Sequence, residues 1–427
     1  MSGKKKRLAR LLVHQTVSLS IGASLVMTPL TAFAAAPSAA SKSTSTYSAK
    51  QVHNNSAERI SQTGDRYVQA SALQVGESRL LTRKEIRKEW DGIDPDYVPD
   101  KAVEAVKAAL PQQDYEQLFP YRLGSPEWHK AAKGKDYYNV NQTDYFSYDN
   151  LIQAVAEVAN IKYKVVSRVG DLNAQEIYRL DKDARAETLV SRSANFNSEI
   201  NRKRNVVVHI VDYGSFLKEG TKKDRKRELA ALLANLSHET GGGWDTAPGG
   251  PLRWGLFWNE NIAGRTGKNN SSFVDPNSSE LYPGYKDKRY YGRGPIMLSW
   301  NFNYGLFSSV IYGDKEVLLK NPEIVAADGK VGFMTAILFW MTPQAPKPSA
   351  HDVMVGKWKP TKELTAKGLN SPGFGITIMV LNGLEANLGE TEGSPVKRRA
   401  GHYRDITTKM GIDVSNEKLD TLGMQPF

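Results

Sequence analysis

The chain of 427 residues contains no cysteine. This absence excludes disulfide bonds and metal sites built from thiolates, but it does not indicate a compartment, because many exported bacterial proteins also lack cysteine. After the N-terminal segment no apolar run is long enough to span a bilayer, and no internal repeat is present. We therefore expect one large globular domain or two ordinary ones, with neither a metal nor a cofactor.

Alternating strands and clusters of positive charge are also scarce. Long runs of alternating strands are missing, although residues 206–211 form one strand-like run, so the main body is expected to be mainly helical. The formal net charge is +11, but the positive residues are scattered and no nucleic-acid-binding motif accompanies them, so we expect no nucleic-acid partner. The basic balance instead favours an anionic surface such as a bacterial wall, without requiring one.

The first 34 residues have the features of an export signal. Five of the first ten residues are basic, and residues 17–30 are mostly apolar. Ala32 and Ala34 then form a small-x-small cleavage site. Removal of this segment lowers the formal charge from +11 to about +6. We predict a signal peptide over residues 1–34 and an exported protein, extracellular or periplasmic, without stable membrane insertion after cleavage. An N-terminal membrane anchor is the alternative interpretation.

Two segments separate this signal from the main body. Residues 35–65 are rich in Ala, Ser, Thr, Asn and Gln and have little apolar periodicity, which predicts a flexible linker. Residues 66–111 contain short amphipathic pieces and end at a proline. They predict a small N-terminal helical extension, in which we find no chemistry.

A glutamate at a helix end is the first candidate for chemistry. Leu229, Leu232, Leu233 and Leu236 recur at helical spacing, which predicts an amphipathic helix from about residue 223, and three glycines stop it. Glu239 then lies in the last turn, where the helix dipole disfavours a carboxylate and should raise its pKa. A carboxyl group protonated near neutral pH suits a general acid, whereas a surface Glu beside a loop is the bland alternative.

A second glutamate, Glu260, follows 21 positions later in a loop rich in tryptophan and glycine. Two further stretches, 288–305 and 372–385, combine aromatic side chains with amides, hydroxyls and carboxylates. Aromatic rings stack on sugars, and two carboxylates with differently tuned pKa values are the usual machinery for hydrolysing a glycosidic bond. The composition favours a glycoside hydrolase, although glycan-binding modules share such loops.

The order of these motifs resembles glycoside hydrolase family 19, the class I/II-type chitinases of plants and their bacterial relatives. The resemblance extends over roughly 300 residues, from about Tyr115 to the C-terminus. The motifs that carry it are His238-Glu239-Thr240, Trp254-Gly255, Tyr290-Tyr291-Gly292-Arg293-Gly294-Pro295-Ile296, Asn321-Pro322, Phe339-Trp340-Met341-Thr342-Pro343-Gln344, Lys347-Pro348-Ser349, Pro372-Gly373-Phe374-Gly375 and Asn382-Gly383.

The resemblance implies a mainly α, lysozyme-like two-lobed fold with a substrate cleft between the lobes. The catalytic domain would cover residues 112–427, with an insertion at about 164–222 and an N-terminal extension outside the family core. We expect a monomer whose partner is chitin or a related N-acetylglucosamine-containing glycan.

The resemblance also implies an inverting hydrolysis of β-1,4 links between N-acetylglucosamine units. The family's general acid, the Glu of the His-Glu-Thr motif, falls on Glu239. Its general base, the Glu after the Trp-Gly loop, falls on Glu260, and the serine that helps to position the water falls on Ser299. Inverting geometry leaves about 6.5–9.5 Å between the two carboxyl groups so that a water can fit.

Supporting roles carry over in the same way. Glu385 and Arg399 match a buried charge network that orients the acid and sets its proton affinity; the alternative for Arg399 is a solvated basic run with its two preceding neighbours. Asn303 and Asn382 match amides that contact substrate and water. Tyr290 and Lys347 match cleft-lining positions. The expected substrate-binding or supporting residues are His238, Tyr290, Asn303, Lys347, Asn382, Glu385 and Arg399.

The sequence departs from the family at several points. The family usually has Gln where Met297 stands and often Tyr where Phe302 stands, so both changes remove hydrogen-bonding groups from a sugar-contacting segment. The loop before Glu260 and the segment that ends in Glu385 are each about one residue shorter than in plant enzymes.

The leading interpretation is a secreted endo-chitinase. Its rival is a peptidoglycan hydrolase of the same fold, since the wall glycan has similar β-1,4 links. Phage-type family members that act on peptidoglycan usually have trimmed loops, whereas this chain keeps the loops at 246–258 and 347–358. A catalytically weak glycan-binding protein is a third hypothesis, and the retention of both Glu239 and Glu260 argues against it.

Overall fold

The computed structural model describes residues 73–94, 97–370 and 373–427, apart from the side chain of residue 172, and the backbone of residues 59–61. The predicted signal peptide (1–34) and most of the predicted linker (35–65) lie outside the described residues, so both stay predictions. Arg59–Ser61, near the end of that linker, form the first strand. Within the described part of the chain, no helix combines the length and apolar character that a membrane span requires.

Helices dominate the regular structure of the described residues. They are α1 (Arg83–Glu89), α2 (Pro99–Ala109), α3 (Gln112–Leu118), α4 (Pro126–Ala132), α5 (Tyr148–Ala159), α6 (Glu199–Arg202), α7 (Lys222–Glu239), α8 (Ile262–Arg265), α9 (Asn301–Tyr312), α10 (Glu316–Lys320), α11 (Ile324–Ala327), α12 (Gly329–Met341), α13 (Ala350–Met354), α14 (Lys362–Ala366), α15 (Phe374–Leu381) and α16 (Pro395–Lys409).

The strands form one antiparallel sheet in the order β1-β6-β3-β4-β5-β2. They are β1 (Arg59–Ser61), β2 (Ser78–Leu80), β3 (Ile161–Arg168), β4 (Asp171–Asp181), β5 (Ala186–Arg192) and β6 (Val206–Asp212). The prediction of a mainly helical fold is confirmed, and the strand-like run at residues 206–211 forms β6. The sequence did not predict strands β3, β4 and β5 at residues 161–192. The predicted insertion at 164–222 contains most of this sheet.

The sheet is covered on both faces. Tyr163 and Val165 of β3 pack into the large core of the helical body. Val166, which points to the opposite face, packs in a second core with Ile86 and Trp90 of the N-terminal extension. This N-terminal segment thus contains helices α1 and α2 and also the edge strand β2.

Helix α7 lies in the middle of the helical body. A capping box fixes its start, because the side chain of Thr221 accepts from the Asp224 backbone N–H while Asp224 bonds back to the Thr221 N–H. Every residue from Glu228 to Ser237 is buried, so this half of the helix is surrounded by protein. The predicted helix is confirmed, and its surroundings hold its last residue, Glu239, in a fixed place.

Candidate active site

Two chain segments approach each other closely just after Glu239. A Cβ on Gly242 would lie 2.6 Å from the Phe257 ring, and a Cβ on Gly243 would lie 2.3 Å from the Pro251 carbonyl oxygen. Any other residue at either position would collide, so these glycines do more than stop the helix. They allow the loop that leads to Glu260 to pack against the end of α7.

Two hydrogen bonds to one carbonyl join the chain segments that carry Glu239 and Glu260. The Thr240 carbonyl accepts from the backbone N–H groups of Phe257 (3.0 Å) and Trp258 (2.9 Å). Thr240 directly follows Glu239, and Trp258 is two residues from Glu260, a stretch that spans at most about 7 Å. The backbone therefore holds the two glutamates on neighbouring segments although 21 positions separate them.

Arg399 of α16 links Glu239 to a buried network. Its Nη2 donates to Glu239 Oε1 (2.5 Å) and to Glu385 Oε1 (2.7 Å), and its Nε donates to Glu385 Oε2 (2.9 Å). Its Nη1 donates to Asn235 Oδ1 (3.0 Å), while Asn382 Nδ2 donates to Glu385 Oε1 (3.0 Å). Since Arg399 is 0 % exposed, the alternative that it belongs to a solvated basic run is wrong.

The environment of Glu239 favours its protonated form. Burial raises its pKa above the usual value, the neighbouring Glu385 raises it further, and Arg399 acts in the opposite direction. The Glu239 side chain is 12 % exposed, so solvent or a ligand can reach it. The direction agrees with the expectation from the sequence, but the largest cause is burial rather than the helix end.

His238 lies beside the same network as a neutral imidazole. Its Nε2 is 3.9 Å from Glu385 Oε1, which is close enough for an ion pair if the ring were charged. Burial and then Arg399 lower the pKa of His238 well below its usual value, so we describe the contact as uncharged. Its buried Nδ1 has no hydrogen-bond partner among the described residues.

Glu260 lies in a second group of polar side chains. Its backbone forms a bridge with Arg293, and its Oε2 accepts a hydrogen bond from the Tyr291 hydroxyl (3.0 Å). Arg265 Nη1 is 3.6 Å from Oε1, and the Glu260 side chain is 17 % exposed. The two carboxylates thus have different partners: a buried guanidinium for Glu239, and a phenol with a half-exposed guanidinium for Glu260.

Ser299 and Asn303 lie next to the Glu260 segment. The Ser299 hydroxyl donates to the Met297 carbonyl (3.0 Å), and a Cβ on Gly292, next to Tyr291, would lie 3.4 Å from this hydroxyl oxygen. Asn303 Nδ2 donates to the Ser299 carbonyl (2.9 Å). The buried Asn303 Oδ1 has no partner among the described residues, so it can accept a hydrogen bond from a water or a ligand.

Three other predicted residues have different settings. Tyr290 is 0 % exposed, and its hydroxyl donates to the Leu319 carbonyl and accepts from the Tyr285 N–H, so this hydroxyl is already used within the protein. Lys347 is partly buried, its Nζ lies 3.3 Å from the Val380 carbonyl, and burial lowers its pKa to about 8. Asn382 is bound into the Glu385 network.

The two departures from the family pattern also differ in position. Phe302 is 1 % exposed and packs in the core. Met297 is partly buried and has a positive φ of 50°. The loss of a hydroxyl at Phe302 therefore affects the core, whereas Met297 lies at the Ser299 turn.

Aromatic side chains surround the loop between the two glutamates. Trp254 stacks on Tyr121 at 4.2 Å between ring centroids and lies 4.8 Å from Trp244, which is 50 % exposed. Trp258 meets the edge of Tyr137 at 4.8 Å. Exposed and half-exposed rings beside two carboxylates form a surface on which sugar rings can stack.

Sequence reasoning missed three residues of the site. Asn235 binds Arg399, Tyr291 binds Glu260, and Arg293 pairs with Glu260 through the backbone. Asn235 could have been found, because a polar residue one turn before Glu239 interrupts an apolar stretch. Tyr291 lies in a quoted motif, but the sequence does not say which of its two tyrosines faces a carboxylate.

No metal site is evident in the part of the chain that the structure describes. There, no group of three or more His, Asp or Glu side chains is arranged to hold a metal ion.

Comparisons with known proteins agree with these motifs. Residues 198–421 match the family described as Chitinase class I (Glyco_hydro_19). Chitinase 9 of Oryza sativa subsp. japonica is 44 % identical over 216 residues, which are 50 % of this chain and 60 % of that protein. The Endochitinase of Carica papaya is 43 % identical over 217 residues, 50 % of this chain and 83 % of that protein. The match thus spans less than two thirds of the rice protein.

A solved structure of a bacterial family 19 chitinase aligns with a TM-score of 0.42 at 23 % identity, over 73 % of this chain and 99 % of that chain. The family assignment does not depend on this alignment, because the family match covers about half of the sequence by itself. The chain belongs to the glycoside hydrolase family 19 chitinases.

Proposed function

We propose that this protein is an endo-chitinase that hydrolyses β-1,4 links between N-acetylglucosamine units with inversion. The observation that carries the proposal is a pair of carboxylates on hydrogen-bonded neighbouring segments with different surroundings. Burial raises the pKa of Glu239 beside Arg399, whereas Glu260 accepts a hydrogen bond from Tyr291. Such a pair suits one acid and one base, and the names of the plant relatives support chitin as substrate.

The proposed reaction uses one water molecule. Glu239 Oε1 accepts from Arg399, so the transferable proton belongs on Oε2, which delivers it to the glycosidic oxygen as the bond from that oxygen to the anomeric carbon breaks. Glu260 takes a proton from a water on the opposite face of the sugar, and the water oxygen bonds to the anomeric carbon. The Ser299 hydroxyl and the side-chain oxygen Oδ1 of Asn303 would hold this water. Proton transfers to and from the solvent then reset both carboxyl groups.

We further propose that the substrate lies in a cleft between two lobes of the helical body. Glu239 would reach this cleft from the end of α7, where Arg399 of α16 holds it, and Glu260 would reach it from the loop before α8. The exposed Trp244 and the partly buried Trp258 offer stacking surfaces on the loop between them. The carboxyl groups must be about 6.5–9.5 Å apart in the working enzyme for a water to fit between them.

The test uses soluble chitin oligosaccharides and, separately, purified peptidoglycan. New ends and the anomer of the first product are followed by NMR. Initial release of the α-anomer from internal links of chitin oligosaccharides supports the proposal. Cleavage of peptidoglycan alone would make the protein a wall hydrolase, and binding without turnover of either substrate would make it a glycan-binding protein.

The matched variants are Glu239→Gln and Glu260→Gln, which keep the shape of each side chain and remove its acid–base function. Each should lose nearly all turnover while its melting temperature shows a folded protein. Wild-type rates in either variant would remove that residue from the mechanism.

We also propose export and action outside the cytoplasm, on the strength of the N-terminal signal features. The mass of the protein recovered from the native host decides this point. Loss of 34 residues supports export with cleavage, and an intact N-terminus in a membrane fraction would favour an anchor.

A further inference from the structure

Glu260 has one direct phenolic hydrogen-bond donor, and that donor is unusually well fixed. The Tyr291 hydroxyl donates to Glu260 Oε2 at 3.0 Å, and Tyr291 is 8 % exposed. The neighbouring Tyr290 has its hydroxyl on backbone groups instead. The two adjacent tyrosines therefore differ in their partners: the Tyr290 hydroxyl hydrogen-bonds to backbone groups, and the Tyr291 hydroxyl hydrogen-bonds to the Glu260 carboxylate.

The Tyr291 ring is clamped on several sides. The Arg293 guanidinium carbon lies 3.7 Å from the ring centroid, and that of Arg289 lies 5.4 Å away. A Cβ on Gly264 would be 2.5 Å from the ring, so the α8 backbone packs directly against it. The Tyr304 hydroxyl donates to the Tyr291 carbonyl (2.8 Å). With ring and backbone both held, the hydroxyl has little freedom to point elsewhere.

We propose that Tyr291 is a positioning residue that orients Glu260 and stabilises its anionic form. A hydrogen bond to a carboxylate favours the charged form, and a base must be charged to accept a proton from water. Because the bond uses Oε2, Oε1 is the oxygen left to face the water. This inference rests on the proposed function, in which Glu260 is the base.

Other charged or titratable groups face Glu260 and must be considered. Arg265 of α8 lies 3.6 Å from Oε1 and its side chain is 42 % exposed, so solvent screens its charge. Arg293, Tyr304 and Tyr145 interact electrostatically with Glu260 from further away. Among these groups Tyr291 combines a direct hydrogen bond with burial.

The test is Tyr291→Phe, which keeps the clamped ring and removes the hydroxyl. With soluble chitin oligosaccharides we expect kcat to fall roughly tenfold to a hundredfold with KM nearly unchanged. The acid limb of the kcat/KM profile should move to higher pH, because the anionic carboxylate has lost a donor. A purely structural role would not move this limb.

The matched control is Tyr285→Phe. The Tyr285 hydroxyl also donates to a carboxylate, that of Glu316, outside the proposed catalytic groups. This variant loses the same kind of bond and should keep the wild-type acid limb. Calorimetric binding of the oligosaccharide and thermal melting show whether each variant keeps its cleft and its fold.

The outcomes separate the two proposals. An unchanged acid limb in Tyr291→Phe, with Glu260→Gln inactive, would overturn the role of Tyr291 and leave the proposed function in place. The role of Tyr291 would also be overturned if only KM or the melting temperature changed in Tyr291→Phe. It would be overturned too if Tyr285→Phe moved the acid limb equally. Full activity of Glu260→Gln would overturn the proposed function itself.

Discussion

A buried histidine near α7 should make the unfolding free energy of the protein fall as the pH rises into the alkaline range. His351 of α13 is 3 % exposed. Its Nδ1 is 2.6 Å from Glu228 Oε1, its Nε2 is 3.1 Å from Glu219 Oε2, and Trp340 Nε1 donates to the same Glu228 oxygen (3.1 Å). Burial lowers the pKa of His351, but Glu228 and then Glu219 outweigh it and raise the pKa to about 10. The imidazolium therefore persists in the folded state.

The pH window follows from the sign of this shift. An unfolded histidine titrates near about 6.5, so the folded state binds one more proton than the unfolded state between pH 6.5 and about 10. The resulting stability is fully present below about pH 6.5 and is lost as the pH rises towards 10. At about 1.4 kcal/mol per pH unit, this contribution falls by roughly 4 kcal/mol between pH 6 and pH 9.5.

His351→Gln tests this reasoning. At pH 6 the variant leaves Glu228, which is 0 % exposed, without a cation and should lose about 3–5 kcal/mol of unfolding free energy. At pH 9.5 the wild type has lost most of the same contribution, so the difference between the two proteins should nearly vanish. Urea unfolding at both values measures it. A difference that stays constant from pH 6 to pH 9.5 would refute a charged His351.

His402→Gln is a control with the opposite sign. Burial, followed by Arg253 and Arg398, lowers the pKa of His402 to about 3. Its contribution is present above about pH 6.5 and is lost as the pH falls towards 3. The stability difference between this variant and the wild type should therefore change in the acid range and stay constant from pH 7 to pH 9.5, where the His351 variant changes.

Three further substitutions test Glu239 and the residues around it. Arg399→Gln should move the alkaline limb of the rate profile to higher pH, because the guanidinium lowers the pKa of Glu239; an unmoved limb in a folded variant contradicts this. Gly255→Ala would place a Cβ 2.8 Å from the Ser237 Cβ and should destabilise by about 1–3 kcal/mol in urea unfolding. Asn235→Leu leaves a buried guanidinium N–H unpaired and should cost about 1–3 kcal/mol in the same assay; wild-type stability would show that this bond contributes nothing.

The position of Glu239 could be predicted from the sequence because local signals determine it. Leucine spacing and the glycine run specify where α7 lies and where it ends, and the structure places Glu239 at its last residue. The raised pKa of Glu239 depends mainly on burial by distant segments, which no local pattern encodes. The direction could thus be anticipated, but its main cause could not.

The burial of the sheet on both faces could not be predicted, because its strands carry charged residues at alternate positions. All eight residues of β3 are buried, and Lys162 and Lys164 alternate with apolar residues. Lys164 donates to Glu187 at 2.8 Å and lies 4.2 Å from the Trp90 ring centroid. Lysine is rarely buried unless it is paired, so these positions look like solvated ones until the partner strand and α1 are known.

The different partners of Tyr290 and Tyr291 could not be predicted from the sequence either. Tyr290 and Tyr291 are adjacent in one motif, and a resemblance assigns roles by position in that motif. The structure places the Tyr290 hydroxyl on the Leu319 carbonyl and the Tyr291 hydroxyl on Glu260. Side-chain direction in this loop depends on tertiary contacts such as the Gly264 backbone, so the chain fold was needed to distinguish them.

The two carboxylates are supported by separate groups, and this separation has a kinetic consequence. Arg399 contacts Glu239 but has no described hydrogen bond to Glu260, while Tyr291 contacts Glu260. A change at Arg399 should therefore move the alkaline limb, on which the acid loses its proton, and a change at Tyr291 should move the acid limb. If the supports are independent, the double variant shows both movements and the sum of the two losses in activation free energy. A large departure from additivity would mean that the Thr240 carbonyl, which joins the two segments, transmits strain from one carboxylate to the other.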